Sequence, residues 1–313
     1  MCEKVAGLSL SPAMDRTIYV DDFCLNEVNR ARESTAIPGS KGVNVAKYLA
    51  ASGLDSVCFG FIGGPDRAVF ISQLNKFGVR SDFIPVEYPI RNNIKIVDLK
   101  NGTYTDVNLE AGTPTEAQLA MLHERAAQVA KECAYVALSG HVSDKMPTDI
   151  YKTLTEIIHQ NGAKVAVDCS GKALLSALEA KPDVIKPNLK ELCESFDVHL
   201  VNRYEIIECA KRIAERGIDN VLVSCGPDGA VAVCEGEIYL VQVPNVPVLN
   251  TVGAGDAFLS GFIYGKTKNF DNEAALRHAA AFSQAIVTGP ATQTLDYAAL
   301  TAAINEIEIT KVV

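Results

Sequence analysis

Zinc-binding spacings are missing from this chain. Its nine cysteines, at positions 2, 24, 58, 133, 169, 193, 209, 225 and 234, form no CxxC pair, and its five histidines include no HExxH, so the common zinc patterns are excluded. There is no run of lysine or arginine, and the formal net charge is −9, which argues against a nucleic-acid partner. No segment approaches the roughly 18 apolar residues that span a bilayer. The opening "MCEKVAGLSLSPAMDRTIYV" has too short an apolar stretch for a signal peptide. An odd cysteine count without metal spacing points to a reducing compartment, and the location is read as cytoplasmic.

What is present is a globular composition. Hydrophobic residues make up 48% and charged residues 21% of 313 positions, enough for a sizeable core in one large domain or two smaller ones. Five near-continuous apolar runs read as buried strands, at 56–64, 134–140, 163–170, 183–188 and 220–226. Helical patterns lie at about 41–52, 66–77, 115–131, 146–160 and 203–216. This alternation predicts an α/β fold with a mostly parallel central sheet covered by helices on both faces. Ligands in such sheets gather at the carboxyl ends of the strands. Residues 12–38 and 81–110 break the pattern with β-prone pieces, among them "DFIPV", "NIKIVDL" and "TYTDVNL". They are read as a small antiparallel sheet beside the main one, a lid. Residues 255–307 are mostly helical.

Chemistry concentrates in "NTVGAGDAFLSGF", 250–262. A helix N-terminus offers unpaired N–H groups and the positive end of a dipole, and so holds anions. Gly253 and Gly255 let the backbone approach a phosphate. Asp256, in the first turn, is placed to accept a proton from an attacking hydroxyl, and the dipole is expected to keep it ionised. A glycine turn capped by an acid explains the stretch equally well. The nearby "GFIYGKT", 261–267, has three residues between its glycines where a P-loop needs four; it reads as core packing and a helix stop. A second glycine turn, "IPGSKGVNVAKYLAASG" at 37–53, enters an amphipathic helix and carries Gly39, Lys41, Gly42 and Asn44. No GxGxxG links a first strand to a helix, which disfavours a nicotinamide enzyme.

These two stretches, in this order and some two hundred residues apart, resemble the two signatures of the ribokinase-like (PfkB) carbohydrate kinases. "LSPAMDRTIYVDDF", "RNNIKIVDLKNGTYTDVN", "VIKPNLKEL" and "VSCGPDGAV" extend the resemblance from about residue 8 to 290. Within the family the sequence is most similar to its 1-phosphofructokinase and tagatose-6-phosphate kinase branches. The resemblance implies a ribokinase-like three-layer sandwich in a single domain over 1–313, with lid segments at about 12–38 and 81–110. It implies ATP as donor, Mg2+, a monovalent cation as a possible activator, and a homodimer through the lid. The acceptor it implies is a ketohexose monophosphate, foremost fructose 1-phosphate, with tagatose 6-phosphate as the alternative.

By the same resemblance Asp256 is the general base, and Gly253, Ala254 and Gly255 stabilise the moving phosphoryl group. Asp15, Gly39, Ser40, Lys41 and Asn44 hold the sugar. Arg91, helped by Lys95, grips the phosphate already on it, beside Ser139 and Gly140. Lys186, Asn188, Ser224, Gly226 and Gly229 bind the nucleotide, and Glu191 organises magnesium through water. Taken alone, Asn188 with Glu191 three residues on is also a common helix cap. Two departures fall on the sugar side. Ser40 stands where the family has a second glycine, and Ser11 where it has asparagine. Ser40 fits if its backbone angles are ordinary. A sugar-phosphate-binding regulator without turnover is the reading from another class; the intact Asp256 counts against it.

Overall fold

Side chains alternate across a strand, so a strand that is apolar at every position needs cover on both faces. In a computed structural model, which describes residues 3–289 and 295–312, this cover is supplied by helices. In chain order the first half contains β1 (Lys4–Ser9), β2 (Ala13–Val20), β3 (Ala31–Gly39), α1 (Lys41–Ala51), β4 (Asp55–Gly63), α2 (Arg67–Lys76), β5 (Val79–Val86), β6 (Arg91–Asp98) and β7 (Thr103–Asn108). Next come α3 (Glu116–Ala130), β8 (Tyr135–Ser139), α4 (Ile150–Gln160), β9 (Lys164–Asp168), α5 (Gly171–Glu179), β10 (Val184–Ile185), α6 (Leu189–Phe196) and α7 (Arg203–Ala214). The chain closes with β11 (Asn220–Ser224), β12 (Ala230–Cys234), β13 (Glu237–Gln242), α8 (Ala254–Thr267), α9 (Asn272–Val287), α10 (Tyr297–Glu306) and β14 (Glu308–Val312).

The main sheet has ten strands in the order β14-β13-β12-β11-β10-β9-β8-β1-β4-β5. From β11 to β5 the pairing is parallel, and β12, β13 and β14 add an antiparallel edge. Val136, Val165 and Val167 face a core built with α3 to α7, while Ala137 and Ala166 face the opposite one, built with α1, α8, α9 and α10. β1 neighbours both β4 and β8, so the chain leaves it in one direction and later returns to its other side; crevices form at such a reversal. Among the described residues no helix is long and apolar enough to cross a membrane. Within the helical stretch 255–307, residues 290–294 lie outside the described residues, as does Cys2.

The lid is a separate four-stranded sheet, β3-β2-β6-β7. It differs from expectation in two ways. Residues 81–86 belong to β5 and the main sheet. The lid is also mixed, because β2 and β6 run parallel. The reason is directional: β2 continues β1, β6 continues β5, and β1 and β5 both pair in parallel with β4. Two strands that prolong parallel strands arrive parallel.

Close approaches explain several glycines. Gly42 lies beneath β1, where a Cβ would fall 1.7 Å from the Leu8 carbonyl oxygen. It therefore serves helix–strand packing. Gly261 and Gly265 seat α8 against α9, with a Cβ at Gly261 meeting the His278 carbonyl at 2.5 Å. The P-loop-like stretch is a packing seam. Ser40, which precedes α1, has φ 111° and ψ 157°, a region open almost only to glycine. Its backbone is not ordinary, and its hydroxyl lies 2.8 Å from that of Ser9.

Gly42→Ala is expected to destabilise the protein by at least about 2 kcal/mol in urea unfolding, since backbone must move. At residue 40 we expect Ser40→Gly to be more stable than Ser40→Ala by about 1 kcal/mol. Relief of roughly 1–3 kcal/mol of strain outweighs the roughly 0.5–1 kcal/mol entropic cost of glycine. Equal midpoints for the two variants would remove the strain argument.

Candidate active site

A cleft of about 950 Å3 runs along the carboxyl ends of the parallel strands, between the main sheet and the lid. It gathers residues that are far apart in the chain. At the lid end stand Asp15 on β2, Arg91 and Asn93 on β6, and Ser40, Lys41 and Asn44 at the start of α1. In the middle are Asp168, at the end of β9, and Gly253 to Asp256, at the start of α8. Lys186, Asn188, Glu191, Ser224, Gly226 and Gly229 continue to the far end.

Asp256 is buried at the head of α8, where Gly253 has φ 83°. A side chain at Gly253 would also meet the Tyr48 hydroxyl at 2.4 Å. The Asn44 amide donates to Asp256 Oδ2 at 2.9 Å. Burial, with the neighbouring Asp168 charge, pushes the Asp256 carboxyl up to about 6; Lys41, Asn44 and Lys186 oppose this. At about 6 the acid is still mostly ionised at neutral pH, as expected, but it is a stronger base than the helix dipole alone would leave it. Taking a carboxylate out of water outweighs the dipole of one helix end.

Asp168 was not singled out in the sequence. It has no exposed surface, yet Lys41 Nζ lies 2.9 Å from one of its oxygens and Lys186 Nζ 3.3 Å from the other. Burial would raise its pKa, but Lys186 and Lys41 outweigh that and lower it. Lys41 also reaches Glu191 Oε1 at 3.0 Å. Its ammonium thus lies with the carboxylates in mid-cleft, although resemblance grouped it with the sugar. Burial would lower its pKa, but Asp168, Glu191 and Asp256 together raise it. Lys186 is held close under α8, since a Cβ on Gly255 would lie 3.2 Å from its nitrogen.

Asn188 caps α6. Its oxygen accepts from the Glu191 amide at 2.8 Å, and Glu191 Oε2 accepts from the Asn188 amide at 2.9 Å. The helix-cap explanation of this pair is realised, with Glu191 Oε1 on Lys41 besides.

At the lid, Asn93 links two of the expected residues. It donates to Asp15 Oδ1 at 2.7 Å and accepts from Arg91 at 2.6 Å, and Arg91 Nε donates to the Ser11 carbonyl at 3.3 Å. The guanidinium is thereby oriented on a half-buried wall. Burial raises the Asp15 pKa despite Asn93, Lys47, Arg91 and Lys95.

Four expected residues do not line the cleft. Lys95 turns to the lid, 3.9 Å from Asp106 and 4.6 Å from the Tyr104 ring centre. Gly39 backs Asp15, whose Oδ2 would be 1.7 Å from a Cβ there. Ser139 is buried at the end of β8, and the Gly140 carbonyl accepts from the Tyr151 hydroxyl at 3.2 Å.

The sequence reading missed the apolar wall at the far end. It is made by Val243, Val246, Val248 and Val252 with Phe258 and Val287. Val243 to Val252 form an irregular segment without periodicity, so no pattern flagged them. Their proline and valine content, beside the glycine turn, was the available signal.

Residues 6–298 match the pfkB family of carbohydrate kinases. The 1-phosphofructokinase of Bacillus subtilis (strain 168) is 33% identical over 287 residues, covering 90% of this chain and 93% of that protein. The 1-phosphofructokinase of Rhodobacter capsulatus is 36% identical over 287 residues, 90% of each. The tagatose-6-phosphate kinase of Staphylococcus epidermidis is 29% identical over 282 residues, 89% of this chain and 90% of that protein. Among solved structures, phosphofructokinase-2 from Escherichia coli in complex with fructose-6-phosphate aligns with TM-score 0.89 and 21% identity over 97% of this chain and 99% of that one. That likeness is one of fold. With the family match spanning nearly the whole sequence, the chain belongs to the pfkB family of carbohydrate kinases.

Proposed function

We propose that the protein transfers the γ-phosphate of ATP to the 6-hydroxyl of fructose 1-phosphate, with Asp256 accepting the hydroxyl proton. The observation that carries this reading is one cleft with a buried carboxylate at a helix N-terminus in its middle and an oriented guanidinium at its lid end. Arg91 binds the phosphate on the sugar, because its fork matches phosphate oxygens. An unphosphorylated sugar has no use for such an anchor. Asp15, Asn93 and Asn44 orient the hydroxyls. Gly39 works through Asp15, and Lys95 contributes charge from the lid.

The first-turn amides at Gly253 to Asp256 have no preceding helical carbonyls and face the transferring phosphoryl group. Lys41 and Lys186 add positive charge there. Ser224, Gly226 and Gly229 approach the nucleotide phosphates, and the valine wall takes the base. Catalysis is then mainly positioning and charge stabilisation.

Among the described residues no three His, Cys, Asp or Glu side chains group as for a metal. Glu191, already engaged by Asn188 and Lys41, suits an ion that keeps its waters and is held mainly by phosphate oxygens. Glu191 would hold Mg2+ through water, and the ion would supply positive charge to the donor phosphates.

Tagatose 6-phosphate is the second acceptor we carry, because Ser40 lines the cleft where the family has glycine. For assembly we propose a homodimer in which two lids cover one another, supported by the exposure of Leu25, Val28 and Tyr104. We place the enzyme in the cytoplasm, where buried thiols such as Cys58 and Cys234 stay reduced.

Coupled ADP release with a panel of ketose phosphates is expected to give the highest kcat/KM with fructose 1-phosphate; a non-phosphorylated ketose as the best acceptor overturns the reading. Asp256→Asn is expected to lower kcat at least about 100-fold while nucleotide binding is kept. The base must be ionised, so log kcat/KM is expected to rise with slope one below about pH 6 and level off above it. Activity flat down to pH 5 contradicts the assignment. Potassium replaced by sodium in the same assay tests activation by a monovalent cation.

A further inference from the structure

Lys47 is a buried lysine that the mechanism above leaves unused. It stands on α1, three residues after Asn44, and is 7% exposed. Its ammonium donates to the Pro38 carbonyl at 3.0 Å and lies 3.5 Å from Asn44 Oδ1. The Phe77 ring, just past α2, lies beneath it with its centre 4.9 Å away. The charged groups acting on it are Asp15 from β2 and Asp256 from α8. Arg91 and Lys95 of β6 act on Asp15 as well. β3 offers the Pro38 carbonyl and the end of α2 the Phe77 ring.

A fully desolvated ammonium is expensive and persists only where something holds it. Here burial pulls the Lys47 pKa down to about 8 against the pull of Asp15 and Asp256. What it touches shows what the expense maintains. Asn44 has an amide whose two ends are chemically opposite. Its NH2 donates to Asp256, and its oxygen faces the Lys47 cation. Turned over, the amide would set its oxygen against a carboxylate and its NH2 against an ammonium. A cation on one side and an anion on the other thus select one orientation. The bond to Pro38 also ties the end of the lid strand β3 to the helix that carries Asn44.

We propose that Lys47 is a positioning residue for the general base: it orients the Asn44 amide toward Asp256, balances the charge of Asp15 and Asp256, and anchors lid strand β3 to α1. The proposal rests on Asp256 being the base. Lys47→Met replaces the ammonium with an uncharged thioether side chain. Lys47→Gln keeps a donor for Pro38 without the charge, and Lys47→Arg keeps both.

The test is made on the full chain with two readouts. The first needs no substrate: 13C-carboxyl NMR titration of aspartate-labelled protein, with the Asp256 signal assigned by Asp256→Asn. Removing the cation removes a favourable partner of the carboxylate, so Asp256 is expected to titrate at higher pH in Lys47→Met and Lys47→Gln, and near the parent value in Lys47→Arg. The second is steady-state kinetics with fructose 1-phosphate and ATP. The neutral variants are expected to lose kcat at least tenfold, with the acid limb moved to higher pH and the ATP KM within twofold. Lys47→Arg recovers most of kcat. If Lys47→Met does not fold, Lys47→Gln carries both measurements. A neutral variant with an unmoved Asp256 titration overturns the proposal. An unmoved acid limb with kcat within twofold also overturns it. Should the parent fail to turn over any ketose phosphate, the proposed function falls, and the titration still decides whether Lys47 governs Asp256.

Discussion

A carboxylate without exposed surface, Asp168, held between the ammonium groups of Lys41 and Lys186, is the interaction on which the rest of the site depends. It draws together the end of β9, the first residue of α1 and the segment after β10. Such a buried pair gains little over apolar packing, but breaking it by removing one partner costs roughly 3–5 kcal/mol. The same charge pushes Asp256 up. One residue therefore gathers two ammonium groups in mid-cleft and adds to the upward push that burial gives Asp256. A conflict between burial and charge is settled differently at the two acids. At Asp168 two lysines outweigh burial, and at Asp256 they do not.

The acidic chain meets anionic ligands by local arrangement. With a formal charge of −9 it has no long-range attraction for phosphates. Arg91 sits on a lid strand, oriented by Asn93 and the Ser11 carbonyl. Lys41 and Lys186 stand on the sheet side, and the amides of α8 lie beside them. Glycine clears the space at Gly253 and Gly255, where the backbone must come close. Serine at position 40 goes the other way, accepting a glycine-type backbone while its hydroxyl pairs with that of Ser9.

Much of this was legible because it is local. Strands β4, β8, β9 and β11 lie within runs of consecutive apolar residues, and helices α1, α2, α3 and α7 carry a face that repeats with the helical period. Strand β1 gives little signal, since "KVAGLS" is short and carries a glycine that serves packing against Gly42. β10 shrank to Val184–Ile185 because Pro187 follows and lacks a donor for the ladder. The lid hairpin of β6 and β7 was visible in its alternation. Its pairing with β2 was not, as that follows from directions inherited from the main sheet.

The sequence by itself determined the layers of the fold, the glycine turn that opens α8 and the presence of Asp256 and Arg91, because apolar period, glycine content and residue type are properties of neighbouring positions. Only the tertiary structure decided that Asp168 lies in the cleft and Lys47 beside Asn44, that Asp256 is a carboxyl raised to about 6, and that Ser40 bears strain. Those outcomes depend on distance, burial and angle between segments up to some two hundred residues apart, such as Asn44 and Asp256. A chain order does not contain a dielectric; only folding creates one, and with it the charge states that a reaction uses.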